Sequence, residues 1–157
     1  MPYNVETLVV GCGNILYKDD GFGSTVIEEL KKYFQENSLP DKTEIVDGGT
    51  GASYHIFTFP ETCWKKVIVV DAIDFGGEPG EIRILKPEET PLGRYENPHA
   101  RPGEHLLSEL EKECEVKIIG CQPKDVPIID IDMGLTTEIE EAIPEAINII
   151  LKEIGAL

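Results

Sequence analysis

Basic residues are scarce in this sequence, with 14 lysines and arginines against 30 aspartates and glutamates in 157 residues. The formal net charge is therefore −16 at pH 7 with histidine neutral. A surface this acidic repels phosphate groups, so nucleic acids and anionic membranes are poor candidates as partners. Taken alone, the acidity indicates no more than a chain that stays in solution.

Long hydrophobic runs are also lacking, since the apolar runs at 8–10 and 67–70 are short. A membrane-spanning helix needs about 20 consecutive apolar residues. Residues 1–7 have no basic start followed by a long apolar stretch. We therefore expect neither a secretory signal peptide nor a membrane span.

Closely spaced cysteines are the third absence. The four cysteines lie at positions 12, 63, 114 and 121, and no pair forms Cys-x-x-Cys. This spacing predicts neither a structural zinc site nor a dense disulfide framework. The simplest expectation is a protein of the reducing cytoplasm.

What the sequence does contain is a series of β-branched runs that alternate with helical patterns, without repeats or low-complexity tracts. The predicted strands are 7–11, 43–47, 66–71, 81–85 and 116–120, and the third is expected to be fully buried. This order is typical of α/β domains. We predict one domain over residues 1–157, a three-layer α/β/α sandwich around a mostly parallel, twisted sheet of about five strands.

Apolar residues at helical spacing predict helices over 24–35 and 104–113 and a last helix that begins at Thr137. A capping box of Thr137 and Glu140 is predicted at the start of the last helix, and a kink at Pro144. Residues 86–102 contain four prolines and no periodicity, which indicates a long loop. Long loops in compact domains are usually functional.

A glycine-rich turn joins the first strand to the first helix, starting with Gly11-Cys12-Gly13. A dinucleotide site would need a third glycine where this chain has Leu16. The turn also carries Asp19 and Asp20, and two carboxylates disfavour bound phosphates. Nucleotide binding is thus a weak interpretation of this turn.

The carboxylates make better sense in a cation site. Asp20 lies just past the first strand and Asp71 closes the third, so both are expected at the carboxyl edge of a parallel sheet. His99, between prolines in the long loop, is the candidate third ligand, and His105 is its competitor. Two carboxylates and an imidazole suit a borderline divalent metal such as zinc or nickel.

Each of these residues also has a purely structural interpretation. Asp20 can interact with a helix dipole, Asp71 can end its strand in a turn, and His99 can be a surface residue. Cys12 and Cys121 are expected at strand ends, where buried structural thiols are commoner than nucleophiles.

Five segments, in order along nearly the whole chain, carry a resemblance to a known family. They are the turn from Gly11 to Gly23 with its paired acids, Asp47-Gly48-Gly49-Thr50, Val70-Asp71-Ala72, Pro98-His99 and Gly134-Leu135-Thr136. With these segments the chain resembles the nickel-iron hydrogenase maturation endopeptidases, and the opening motif is the most specific. The segment 120–123, Gly-Cys-Gln-Pro, resembles the branch that serves deazaflavin-reducing hydrogenases of methanogens.

The resemblance implies a metal-contacting, catalytic site of Asp20, Asp71 and His99, in an aspartic-type or metal-assisted protease. It implies an endopeptidase that removes the C-terminal extension of a hydrogenase large-subunit precursor after nickel insertion. Nickel would be delivered by the substrate, although another divalent metal can be accepted in vitro. We further expect a monomer that meets this precursor transiently. The alternatives are a nucleotide-binding regulatory module and a cysteine-dependent hydrolase that uses Cys12 or Cys121.

Overall fold

The computed structural model describes residues 5–50, 64–90 and 110–157, and within them five strands form one sheet. The strands are β1 (Thr7–Cys12), β2 (Thr43–Gly49), β3 (Lys66–Ala72), β4 (Ile82–Leu85) and β5 (Glu115–Cys121). Their order across the sheet is β2-β1-β3-β5-β4. The first four are parallel neighbours, and β4 pairs antiparallel with β5 at the edge. The predicted strands and the mostly parallel sheet are confirmed.

Strand β3 lies in the centre of the sheet, paired with β1 on one side and β5 on the other. Every residue from Val67 to Ala72 is buried, as the unbroken β-branched run predicts. Alternate side chains of a strand point to opposite faces of the sheet, so Ile68 and Val70 belong to one core and Val67 and Val69 to another.

Two helices cover the first of these faces. Helix α1 (Phe22–Glu36) buries Val26, Ile27 and Leu30, and helix α2 (Thr137–Glu153) packs its isoleucine stripe beside them. Helical spacing brings these apolar residues onto the sides that meet the sheet. The predicted first and last helices are therefore confirmed.

The opposite face carries a second core. Leu8, Val10 and Val69 pack there with Trp64 and Leu110. Of the helix predicted over 104–113, only its end falls within the described residues, where residues 110 and 111 are helical. Apolar side chains thus cover the sheet from both sides, as a three-layer arrangement requires.

The predicted capping box at the start of α2 is wrong. The N-cap is Thr136 rather than Thr137, and the cap makes no side-chain hydrogen bond to the helix. The Thr136 hydroxyl is engaged elsewhere, since it donates to the carboxylate of Asp19 at 2.9 Å. Helix α2 continues through Pro144 to Glu153, and the kink at this proline stays a prediction.

Candidate active site

The glycine-rich turn lets helix α1 lie directly on the sheet. A Cβ atom on Gly23 would overlap the carbonyl oxygens of Cys12 and Val70, and one on Gly11 would reach within 2.5 Å of the Gly23 oxygen. Close helix-strand packing is the role that the dinucleotide fingerprint gives to its third glycine, and here Gly23 takes it instead of Leu16. The glycines thus fix the start of α1 against the ends of β1 and β3.

A short 3₁₀ turn over Lys18–Gly21 precedes α1 and carries the paired acids. Gly13 has φ +124°, and a Cβ there would overlap the Asp20 carbonyl oxygen. A residue with a side chain at this position would meet both backbone strain and this overlap. The position of Asp20 is therefore set by contacts between backbone atoms.

Asp19 is fully buried and points into the protein. Its Oδ2 accepts the amides of Lys124 and Asp125 at 2.9 and 2.8 Å, and its Oδ1 accepts the amide of Thr136 at 2.8 Å. The Thr136 hydroxyl adds contacts of 2.9 Å to both oxygens. Asp19 therefore ties three chain segments together and does not face a ligand.

Asp20, in contrast, is half-buried and faces the carboxyl edge of the sheet. Its Oδ2 accepts the amide of Asn14 at 2.9 Å, which holds the carboxylate in one orientation. It lines a pocket of about 340 Å³ together with Asp74, Gln122 and Lys124. Of the paired acids, Asp20 is thus the one that can meet a ligand.

Asp71 lies at the same edge, near the end of β3, where it is paired with Gly120 of β5. Its exposed fraction is 1%, and the next residue, Ala72, lines the Asp20 pocket. Two-residue alternation places Asp71 on the side of Val67 and Val69. The structure therefore places Asp20 and Asp71 at one edge of the sheet, as the strand ends predict.

His99 and His105 lie outside the described residues, so the third ligand stays a prediction. Within 5–50, 64–90 and 110–157, the histidine, cysteine and acidic side chains form no group of three that could hold a metal ion. The predicted site of Asp20, Asp71 and His99 includes one residue, His99, that lies outside those ranges. The long loop is described only at its start, where Pro87–Glu89 forms a 3₁₀ turn.

Gln122 and Asp74 are site residues that the sequence analysis missed. The side-chain oxygen of Gln122, Oε1, accepts hydrogen bonds from the backbone amides of Phe75 and Gly77 at 2.8 and 3.0 Å. The side-chain nitrogen of Gln122, Nε2, donates to Asp74 Oδ1 at 3.0 Å. This bond and the Gly76 amide lower the pKa of Asp74. Asp74-Phe75-Gly76 is typical of an Asx turn, which is the signal that could have identified it.

A second pocket, of about 400 Å³, lies at the same edge and joins the first turn to the end of β2. Gly13 donates its amide to the Gly49 oxygen at 2.9 Å, and Ser24 donates its hydroxyl to Asp47 at 2.8 Å. Gly49 has φ +52° and leaves the backbone bare beside the pocket. This edge therefore offers backbone groups to an extended ligand as well as carboxylates.

Two of the described cysteines, Cys114 and Cys121, are poor nucleophiles. Burial, and to a lesser extent the charge of Asp19, raises the pKa of Cys121 to about 12. Burial with the adjacent glutamates raises the pKa of Cys114 to about 11. Cys12 is buried at the end of β1. Since the thiolate is the reactive form, these environments argue against a cysteine-dependent hydrolase that uses Cys121.

Both the sequence and the fold of this chain resemble those of known proteins. The sequence profile described as hydrogenase maturation protease matches residues 24–153. The chain belongs to the hydrogenase maturation protease family. It is therefore a peptidase, a hydrolase that acts on peptide bonds, and the predicted family is confirmed.

No helix in residues 5–50, 64–90 and 110–157 combines the length and the apolar character that a membrane span requires.

Individual relatives cover almost the whole chain. The chain is 48% identical over 155 residues to the coenzyme F420 hydrogenase subunit delta of Methanothermobacter thermautotrophicus, with 99% of this chain and 98% of that protein covered. The crystal structure of the hydrogenase maturating endopeptidase HybD from E. coli is similar, with a TM-score of 0.71, 26% identity and coverage of 97% and 93%. That of the nickel-iron hydrogenase maturation protease HycI from Thermococcus kodakarensis has a TM-score of 0.69, 28% identity and coverage of 96% and 93%.

Proposed function

We propose that this protease removes the C-terminal extension of a nickel-iron hydrogenase large-subunit precursor after nickel insertion. The observation that carries the proposal is the difference in environment between the paired acids, Asp19 and Asp20. Asp19 is buried and bound by backbone amides, whereas Asp20 faces a pocket at the edge where β3, the strand of Asp71, ends. In a protease family, this edge is where the substrate tail would be cut.

The relative at 48% identity is named as a subunit of coenzyme F420 hydrogenase, and the segment 120–123 resembles the branch serving deazaflavin-reducing enzymes. Gln122, within that segment, organises the turn beside the Asp20 pocket. We therefore propose the large subunit of an F420-reducing hydrogenase as the substrate.

Nickel, in this proposal, arrives as part of the substrate and docks on Asp20, Asp71 and His99. The donor set fits, since carboxylate oxygens and an imidazole nitrogen bind borderline divalent ions. The Asn14 amide orients the Asp20 carboxylate, as partners of metal ligands commonly do. Ligation would both report nickel insertion and position the tail, and a carboxylate could then act as base toward an attacking water.

We also infer that the protein acts as a monomer that contacts the precursor transiently. The supporting observation is the net charge of −16, because two such surfaces repel each other. An open carboxyl edge is needed to admit the tail of a large folded subunit. Light scattering that detects a stable oligomer with this edge buried would contradict the inference.

The test is a cleavage assay with nickel-loaded and nickel-free precursor, read as a size shift of the large subunit. Protease stripped with a chelator should cut the nickel-loaded precursor fully and leave the nickel-free precursor intact, even when zinc is added. Cutting of nickel-free precursor on addition of zinc alone would instead indicate a resident zinc and an ordinary metalloprotease.

A further inference from the structure

Residues 126–133, between β5 and α2, expose an unusual number of large apolar side chains. Ile128 and Ile129 are 90% and 88% exposed, and Ile131 and Met133 are 64% and 61% exposed. Val126, at the start of the segment, is also exposed. We call these five side chains the apolar strip. Contiguous exposed apolar surface often marks an interaction site, whereas single exposed apolar side chains are common on protein surfaces.

The segment that carries the strip is held firmly at both ends. At its start, the Asp19 carboxylate binds the amides of Lys124 and Asp125. At its end, Asp132 donates its amide to the Leu16 oxygen at 2.9 Å and accepts the Lys18 amide at 2.7 Å. The exposed isoleucines are therefore displayed on an anchored loop.

Anchoring of this kind has a cost. Asp19 is a fully buried carboxylate, and in the described part of the chain its donors are amides and a hydroxyl. Burying a carboxylate is unfavourable unless hydrogen bonds and nearby cations compensate, and here the amides, the hydroxyl and the charge of Lys124 do so. Here Asp19 fixes a loop whose apolar side chains are exposed to solvent. Rigidity is useful for binding, because a loop fixed beforehand loses less entropy when a partner docks.

The strip connects the candidate site to a larger groove. Val126 lines the pocket that contains Asp20. Met133, at the other end, lines a groove of about 810 Å³ between α1 and α2, whose walls include Ile143 and Leu151. A macromolecule whose tail enters the Asp20 pocket would therefore contact Val126, the first residue of the strip.

The charges around the strip select between possible partners. Asp125, Asp130 and Asp132 lie beside or between its apolar residues, and Lys18 forms ion pairs with Asp125 and Asp132 at 3.8 and 3.2 Å. Three acids against one lysine still leave an excess of negative charge around the strip, within a chain of net charge −16. A second copy of the chain would bring two such acidic rims together, which is unfavourable. A different protein with an apolar face bordered by lysines and arginines complements the strip in both respects.

We propose that the apolar strip is the docking surface for the folded body of the large-subunit precursor, next to the tail that is cut. This inference rests on the proposed function, and it names the surface that recognises the partner. Ile128 and Ile129, the two most exposed members, are its expected centre.

The test is the double variant Ile128→Ser/Ile129→Ser, assayed on purified nickel-loaded precursor of an F420-reducing hydrogenase. We expect KM to rise by about tenfold or more and kcat to stay within about twofold, since docking surface is lost and the reacting groups are unchanged. The melting temperature should not change, because both side chains are exposed. Ile128→Val/Ile129→Val should restore a KM close to that of the wild type.

Leu39→Ser is the control for loss of an exposed apolar side chain outside the strip, because Leu39 is 40% exposed. Leu39 precedes β2 at the opposite, amino edge of the sheet. This variant should cut with wild-type KM. A fall in kcat without a change in KM for the double isoleucine variant would overturn the docking inference.

Binding of the precursor to Asp71→Asn protease, measured by calorimetry, separates this inference from the proposed function. If the wild type cuts and the double isoleucine variant keeps its KM, the docking inference is wrong and the function stands. If the precursor binds but is never cut, and the isoleucine substitutions abolish binding, docking stands and the proposed function fails. Absence of binding, or a dimer of the chain that these substitutions dissociate, overturns docking.

Discussion

The two edges of the sheet hold their charged groups in different ways. At the amino edge, Glu153 of α2 forms ion pairs of 2.9 and 3.0 Å with Lys66 and Lys117. At the carboxyl edge, amides and a hydroxyl hold Asp19, and Gln122 and a backbone amide hold Asp74. Lysines cancel a carboxylate's charge, whereas neutral donors fix its position and leave its charge in place. Lysines are present at the carboxyl edge as well, since Lys18 forms ion pairs with Asp125 and Asp132 and Lys124 lines the Asp20 pocket. The difference between the edges is therefore that ion pairs hold Glu153, whereas hydrogen bonds from neutral groups hold Asp19 and Asp74 in position.

Removing the charge of either candidate ligand should have the largest effect. Asp71→Asn and Asp20→Asn keep the size of the side chain but weaken ligation and general-base action, so cleavage of nickel-loaded precursor should fall by about a thousandfold. The fold should be nearly unchanged, as judged by circular dichroism and the melting temperature. A variant that retains activity would remove that residue from the site.

Asp19→Ala should act mainly on stability. The change leaves the amides of Lys124, Asp125 and Thr136 without their acceptor, which we expect to lower the free energy of unfolding by about 3 kcal/mol. Denaturant unfolding measures the loss. If Asp19 were instead a ligand of the metal, cleavage would disappear while stability stayed close to that of the wild type.

The Glu153 cluster should make a smaller, pH-dependent contribution. Burial raises the pKa of Glu153, but hydrogen bonds and attraction from Lys66 and Lys117 outweigh this and hold it below the ordinary 4.5. A depressed carboxylate pKa stabilises the fold above the unfolded-state value, and the stabilisation is lost as pH falls through the folded-state value. Glu153→Gln should therefore cost about 1 kcal/mol at pH 7 and almost nothing well below pH 4.5. Unfolding curves at the two pH values check this, and an equal loss at both would contradict it.

Asp74→Asn should have the smallest effect. Asp74 is exposed, so water and salt screen its charge from the neighbouring Asp20 pocket. Asparagine can still accept from Gly76, so the turn should be kept. We expect cleavage to fall by no more than about threefold, with the difference reduced at high salt. A loss as large as that of Asp20→Asn would make Asp74 a ligand.

Most of the sheet could be predicted from the sequence because strand formation follows local patterns. The run 66–71 has no polar residue between its ends, and such runs form buried parallel strands. The placement of Asp20 and Asp71 at the same edge of the sheet also followed, since parallel strands direct their carboxyl ends to one side. These inferences need only the residue types within one strand and its following turn.

Contacts between distant segments could not be predicted in the same way. Thr136 binds a carboxylate 117 positions away, and this contact replaces the local capping box that the sequence favours. The apolar strip is a second example, because the alternation of apolar and acidic residues over 129–133 is compatible with a half-buried strand or an exposed loop. In the structure, hydrogen bonds of distant residues with Asp125 and Asp132 hold this segment as an exposed loop.

The register of β1 and β3 links the placement of Asp20 and Asp71 to the completed sheet. Gly11 of β1 is paired with Val70 of β3, and these residues are far apart in the sequence. The turn with Asp20 follows one strand, and Asp71 belongs to the other. A slip of one residue would turn Asp71 to the other face of the sheet. A nascent or partly unfolded chain therefore has not brought the two acids to one edge of the sheet, and under the proposed function such a chain would not cleave the precursor.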